Sequence, residues 1–244
     1  MTINELRLYL NTVLNKDNSG NSLSPDELNI LLKTQIYGFV KEQILTYRQY
    51  VATGTPHDDV IFTALLVDAL QETASATLTA GSFTLPTDML FLESLSGTYN
   101  AHTKKIEIVS AGEYYRRKHN LLSKPIAYFP LAYITDTTCT VIPNNMTSVV
   151  VSYIAKPAEP VFDYYNDAND NIVYLAAGGS RLLTTGETGS AGQTAGTTVT
   201  SSTVEMNIPV ELHQKFADYL LSKVAIRSRE QLLYEANQNE LNKA

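Results

Sequence analysis

The stretch from Asn15 to Leu28, NKDNSGNSLSPDEL, has the residue types of a calcium loop between two helices. An EF-hand loop needs oxygen ligands at positions one, three, five, seven, nine and twelve, a glycine at six for the sharp turn and a bidentate glutamate at twelve. With Gly20 at six, Asn15, Asp17 and Ser19 take positions one, three and five, and Asp26 takes twelve. Glu27 then falls one residue late. A start at Asp17 is worse, because Ser22 and Leu28 take the places of glycine and glutamate. The pattern predicts weak affinity for a divalent cation near Asp17, and no metal ligand is assigned. The same letters fit a helix start without a slip. Ser24 is the N-cap, Pro25 takes the first helical position, Glu27 reaches back to complete a capping box, and Leu23 and Leu28 flank the cap as a hydrophobic staple.

Other chemistry is sparse. GETGSAGQT, Gly186 to Thr194, resembles a phosphate loop only in its glycines: Gln193 stands where the phosphate-binding lysine belongs, and Ala191 takes the place of the second glycine. His57, His102, His119 and His213 show no H-E-x-x-H and no helical metal spacing. PHDD, Pro56 to Asp59, offers two or three oxygen and nitrogen ligands but has the composition of a solvated turn. There is no G-x-S-x-G elbow and no local Cys–His signature. No catalytic residue, metal or cofactor is therefore assigned, and the chain is not expected to be an enzyme. YYRRKH, Tyr114 to His119, is the one dense basic cluster with aromatic neighbours. Tyr114, Tyr115, Arg116, Arg117 and Lys118 are candidate partner-contact residues, suited to phosphate or to an acidic neighbouring subunit. The competing reading is a solvated loop or helix turn.

Composition bounds the function classes. Hydrophobic residues at 44% and charged residues at 18% describe a globular chain, and 244 residues suffice for a sizeable core. A formal net charge of -7 argues against a broad basic nucleic-acid face. The single cysteine, Cys139, excludes an internal disulfide framework and a cysteine zinc site. The N-terminal MTINELRLYLNTVLNK does not read as a signal peptide, and no segment reaches the roughly 18 to 20 apolar residues of a membrane span. A soluble protein is expected. Tyrosine outnumbers phenylalanine by 15 to 7, which suits partner surfaces and β-strands alike.

The elements that would position these residues follow from periodicity. Apolar residues recur at helical spacing from Ile3 to Leu14 and again from Pro25 to about Val51, and TGTPHDD then breaks the helix. Val60 to Leu70 is apolar on most sides and fits a buried helix or a strand. Strands are predicted within ATLTAGSFTLP and at Met89–Leu95, Lys105–Val109, Ala127–Thr135, Cys139–Ile142 and Ser148–Ile154. Residues 178–203 hold six of the 12 glycines and few apolar anchors, so a flexible Gly/Thr-rich loop or extended hairpin tip is expected. Pro209 opens a final helix, and the polar tail EANQNELNKA is expected to fray. The fold class is α+β: N- and C-terminal helices form a helical bundle, with an inserted antiparallel β-sandwich or barrel. The expected parts are an N-terminal helical part over 1–75, a β-rich part over 76–206, and a C-terminal helix over 207–244 that packs on the N-terminal helices.

Three segments together resemble a known family. NKDNSGNSLSPDELNILL, GSFTLPTDMLFLESL and VVVSYIAKPAEPVFDY are similar to the ring or head-to-tail connector proteins of crAss-like bacteriophages, and the architecture resembles the tail adaptors of short-tailed phages. The resemblance covers Met1 to Phe162 and Pro209 to about Arg229. It implies a virion structural protein at the head-to-tail junction, assembled in the host bacterial cytoplasm. It further implies a homo-oligomeric ring, commonly of twelve copies, that stacks on portal or other connector, ring or tail proteins. Such a ring lines a channel through which DNA passes without sequence-specific binding, and an acidic wall avoids trapping the phosphate backbone. No membrane partner is implied. The alternative class is a β-sandwich carbohydrate-binding or host-adhesion module of a virion, which the absence of Trp disfavours.

Overall fold

A computed structural model describes residues 1–16, 23–54, 60–100, 102–120, 122 and 124–225. Residues 17–22, which hold Asp17, Ser19 and Gly20 of the calcium-loop pattern, residues 55–59, which contain His57, Asp58 and Asp59, and residues from 226 lie outside the described residues. The chain is mixed α+β and divides into two compact units, Met1–Ala69 with Pro157–Ala244, and Leu70–Lys156. These divisions fall at 69/70 and 156/157, where the sequence reading places boundaries at 75/76 and 206/207.

The first unit begins with α1 (Ile3–Lys16) and α2 (Pro25–Thr53), continues into α3 (Val60–Leu70), which runs one residue past the boundary, and ends in α5 over 213–225. α2 starts where Ser24 caps it: its hydroxyl accepts from the Glu27 amide at 3.3 Å, and the Glu27 carboxylate accepts from the Ser24 amide at 2.9 Å. Pro25 occupies the first turn, where its missing N–H costs nothing. The Ser24 contacts hold the Glu27 carboxyl below the usual carboxylate range. The helix stops at Gly54, whose φ of 66° is the left-handed C-cap conformation that glycine adopts without strain. Between these ends Leu28, Leu32, Ile36, Phe39, Val40 and Ile44 recur at helical spacing and are buried. Phe39 meets Phe216 and Tyr219 of α5 at 5.1 and 5.4 Å between ring centroids. Tyr9 of α1 donates to Asp218 of α5 at 3.1 Å and accepts from Gln214 at 2.9 Å.

The segment from Pro157 to Pro209 belongs to this unit and is more structured than its composition suggests. It carries β8 (Tyr164–Asn166), β9 (Ile172–Tyr174), β10 (Ser180–Leu182), β11 (Thr188–Gly189) and β12 (Thr198–Thr200). β8 is central in a three-stranded sheet between β11 and β9, and β10 pairs with β12. Three of these short strands lie within 178–203, the stretch expected as a flexible Gly/Thr-rich loop or extended hairpin tip, and β10 and β12 pair antiparallel there. A small apolar cluster of Leu175, Leu183 and Val199 lies beneath it, and buried polar groups add to that packing. The buried Asp163 carboxylate accepts from the Ser190 hydroxyl at 2.6 Å and from the amides of Ser202 and Tyr164 at 2.8 and 2.9 Å. Burial alone would raise its pKa, and these donors outweigh burial and hold it below the usual range. Glu187 repeats the device, accepting from Arg181 and from the Thr184 amide, each at 2.7 Å.

The second unit is a curled seven-stranded sheet, a half-barrel, with order β1-β7-β3-β4-β5-β6-β2. Its strands are β1 (Gln71–Ala76), β2 (Ser82–Thr84), β3 (Met89–Tyr99), β4 (His102–Ile108), β5 (Leu131–Thr135), β6 (Thr138–Ile142) and β7 (Ser148–Ala155). Phe83, Leu95, Ile106, Cys139, Val149 and Val151 belong to its core. Two bulges in the eleven-residue β3, between Met89 and Phe91 and between Leu92 and Ser94, bend the longest strand. Gly97 lies against Met146, whose sulfur occupies the space a Cβ would take, so a larger residue would displace that side chain. Two expectations are corrected. The sheet remains open at β1 and β2, so it is neither a sandwich nor a closed barrel. It is also not wholly antiparallel: β4 and β5 pair in parallel, because α4 (Ala111–His119) and the following loop form a crossover between them.

The reciprocal cap at the start of α2 supplies a direct test. Ser24→Ala removes the acceptor for the Glu27 amide and is expected to cost about 1 kcal/mol of stability in urea unfolding, whereas Ser24→Asn is expected to cost less than half of that.

Candidate interaction surface

The basic run of the sequence is a helix, and its charges are placed by helix electrostatics. Ser110 caps α4 by accepting from the Glu113 amide at 3.3 Å. Glu113 sits in the first turn, and Arg116, Arg117, Lys118 and His119 occupy the last, so acid and base complement the two ends of the dipole. Glu113 also clamps two of the cations. Arg116 donates to both of its oxygens at 2.8 and 2.7 Å, and Arg117 donates to it at 2.6 Å and to Glu107 of β4 at 3.0 Å. These donors hold the Glu113 carboxyl at about 2, and its carboxylate in turn raises both arginines.

The two tyrosines split between packing and surface. Tyr114 is buried and meets Tyr133 of β5 at 4.3 Å and Tyr115 at 5.5 Å between centroids. Tyr115 is exposed, and its hydroxyl lies 3.2 Å from that of Tyr133. Burial pushes the Tyr114 phenol up, and the hydrogen bond to Tyr133 does the same for Tyr115. Of the five candidate residues, therefore, Tyr114 is core, Arg116 and Arg117 are neutralised within the unit, and Tyr115 and Lys118 face outward. Lys118 lines an open cavity of about 440 Å³ with Tyr114, Lys124, Pro125, Thr140 and Asn144. Among the described residues no acidic group pairs with Lys118 or Lys124.

The segment after α4 holds what the sequence reading missed. Ala127–Thr135 is expected as a strand, but β5 begins only at Leu131. Pro130 has no amide to donate, and residues 126–129 instead make a tight turn in which the Phe129 amide donates to the Ile126 carbonyl at 2.9 Å. That turn buries Ala127 and leaves Ile126, Tyr128 and Phe129 exposed, with Leu122 exposed before it. A second cavity of about 280 Å³ is lined by Leu122, Lys124, Ile126, Phe129, Leu131 and Arg117, with Glu107 at its side. The two prolines at 125 and 130 were the available signal. Together, α4, Leu122 and residues 124–129 present apolar side chains beside lysines that pair with no described acidic group, which is the chemistry of contact with an acidic, partly apolar surface.

The remaining candidates do not assemble into a site. The stretch Gly186–Thr194 is closed by its own hydrogen bonds, with the Gly189 amide donating to the Gln193 carbonyl at 2.9 Å and the Ala191 amide to the Gln193 side chain at 3.1 Å. It lies between β10 and β12, and the element after it is a strand rather than the helix that follows a phosphate loop. The Cys139 thiol is buried and pushed up to about 12 by that burial. Among the described residues no group of three or more His, Cys, Asp or Glu could hold a metal ion, and no helix is long and apolar enough to cross a membrane.

Because the folded-state pKa of Glu113 is depressed, its interaction with the arginines contributes stability above the ordinary carboxylate range and is lost as pH falls through about 2. Carbon-detected NMR titration is expected to show the Glu113 carboxyl still ionised at pH 3.5, with the transition moved up toward the ordinary value in an Arg116→Gln/Arg117→Gln chain. No protein-family model and no curated protein matches this chain.

Proposed function

We propose that the chain is a virion structural protein, the subunit of a homo-oligomeric ring in the head-to-tail connector or tail of a tailed bacteriophage. The ring stacks on portal or neighbouring ring proteins and lines the DNA channel. In this reading α1, α2 and α5 form a helical bundle.

The observation that supports it is the amount of large apolar surface left uncovered at defined places on the single chain. Leu122, Ile126 and Phe129 project together beside α4, and Ile61, Phe62 and Leu65 project together from α3. Scattered exposed apolar residues are ordinary on a monomer, whereas clustered ones mark surfaces that meet a partner. The family resemblance of the three sequence segments gives that partner a form, namely further copies and stacked ring proteins. The net charge of -7 suits a channel past which a polyanion must slide.

Electron microscopy of the purified full chain, alone and with its portal protein, is expected to show closed rings of about twelve copies. Mass spectrometry of purified particles is expected to find the chain at a copy number similar to that of the portal. A chain that stays monomeric and is absent from particles contradicts the proposal.

A further inference from the structure

Two exposed surfaces of this chain are apolar at their centres and opposite in charge. The first is on α3, whose sequence VIFTALLVDAL is apolar at nearly every position. At 100° per residue, Ile61, Leu65 and Asp68 fall in one line with Phe62 beside it, and Thr63, Leu66 and Leu70 fall on the opposite side. The burial follows that division: Thr63, Leu66 and Leu70 are buried, while Ile61 is 72% exposed, Leu65 43% and Phe62 38%. A helix that is apolar all round is ordinarily covered on all sides, and this one is covered on one. Asp68 extends the exposed line at the helix C-terminus, where a carboxylate opposes the dipole and no basic residue compensates it. Among the described residues no cation pairs with it.

The second surface is made by Leu122 and residues 124–129 with the end of α4. Leu122 is 99% exposed and Phe129 75%, and with Ile126 they rim the cavity of about 280 Å³. Lys124 lines both this cavity and the larger one that Lys118 also lines.

We propose that α3 of one copy docks on the 122–129 surface of the next. Ile61, Phe62 and Leu65 meet Leu122, Ile126 and Phe129, and Asp68 faces Lys118 and Lys124. The occupant, a second copy, rests on the ring reading above, while the pairing of the surfaces rests on their charges. α3 on α3 would bring two uncompensated aspartates to one apolar patch, and the lysine surface on itself would bring four unpaired cations together. Only the crossed pairing neutralises both. Joining two different patches makes the contact head-to-tail, the kind that generates a ring when its rotation closes.

Sedimentation velocity of the full chain tests the contact, with Asp68→Lys, the double variant Lys118→Glu/Lys124→Glu, and the triple variant combining all three changes. The altered residues are exposed and lack described ionic partners, so each chain is expected to fold, as circular dichroism would verify. The first two variants are expected to weaken self-association roughly tenfold or more, and the triple variant to recover it because the charges are exchanged rather than lost. Variants that associate like the parent chain, or a triple variant no better than the others, overturn the contact. Rings that persist unchanged in the variants retain the ring and remove this contact. Open oligomers that respond to the charge exchange retain the contact and remove the ring. A parent chain that stays monomeric removes both.

Discussion

The first unit depends on the seating of Phe162. Its ring is almost wholly buried and takes the Arg7 guanidinium of α1 on its face at 5.2 Å, Tyr174 of β9 at 5.3 Å and Tyr164 of β8 at 6.1 Å. Its backbone is held by one side chain of α2: the Asn29 amide donates to the Phe162 carbonyl at 3.0 Å and accepts from the Phe162 amide at 2.7 Å. Asn29 thereby does for this residue what a neighbouring strand would do. A buried aromatic of this kind contributes about 3 to 5 kcal/mol, enough on that scale to decide whether a domain of marginal stability folds. The next residue, Asp163, orders Ser190 and Ser202, so two consecutive positions connect both N-terminal helices to the Gly/Thr-rich strands. Glu205 closes the arrangement by accepting from the Ile3 amide at 2.9 Å, at the start of α1, and from the Tyr174 hydroxyl. Burial, reinforced by that carboxylate, pushes the Tyr174 phenol well above its ordinary value.

Where packing follows a simple period, the sequence was enough to find it. The helical stripes of α1 and α2, the cap at Ser24, Pro25 and Glu27, and strands β3, β4, β6 and β7 could each be read from spacing and punctuation. What was hidden depended on distant partners. Thr188, Gly189 and Thr198 carry no apolar period, yet they lie in strands, and Ser190 and Ser202 beside those strands are held by Asp163, 27 and 39 residues away along the chain. The parallel pairing of β4 with β5 depends on a crossover whose helix looked, in sequence, like a charged turn. The opening of the half-barrel at β1 and β2 has no local signature. For α3, periodicity could not distinguish helix from strand, since almost every residue is apolar.

The basic run shows how a conspicuous motif is divided among roles. Arg116 and Arg117 serve Glu113, Glu107 and the helix dipole, and Tyr114 serves the core. What is left for a partner is the outward Tyr115, Lys118 and the less conspicuous residues that follow, Leu122, Lys124, Ile126 and Phe129. Sequence density of charge thus marked the right neighbourhood and the wrong residues within it. The uncovered apolar line on α3 gains its meaning from the same consideration, because the one charge placed against its helix dipole has the sign that these lysines lack.

The central claim is that these apolar surfaces are covered by protein in the assembled state. Amide hydrogen exchange of the full chain, followed from dilute to concentrated solution, tests it most directly. The account predicts that protection rises with concentration in peptides spanning 60–69 and 122–130 and stays constant across 28–44, already buried within α2. Unchanged exchange at both surfaces in a sample shown to be assembled would contradict it.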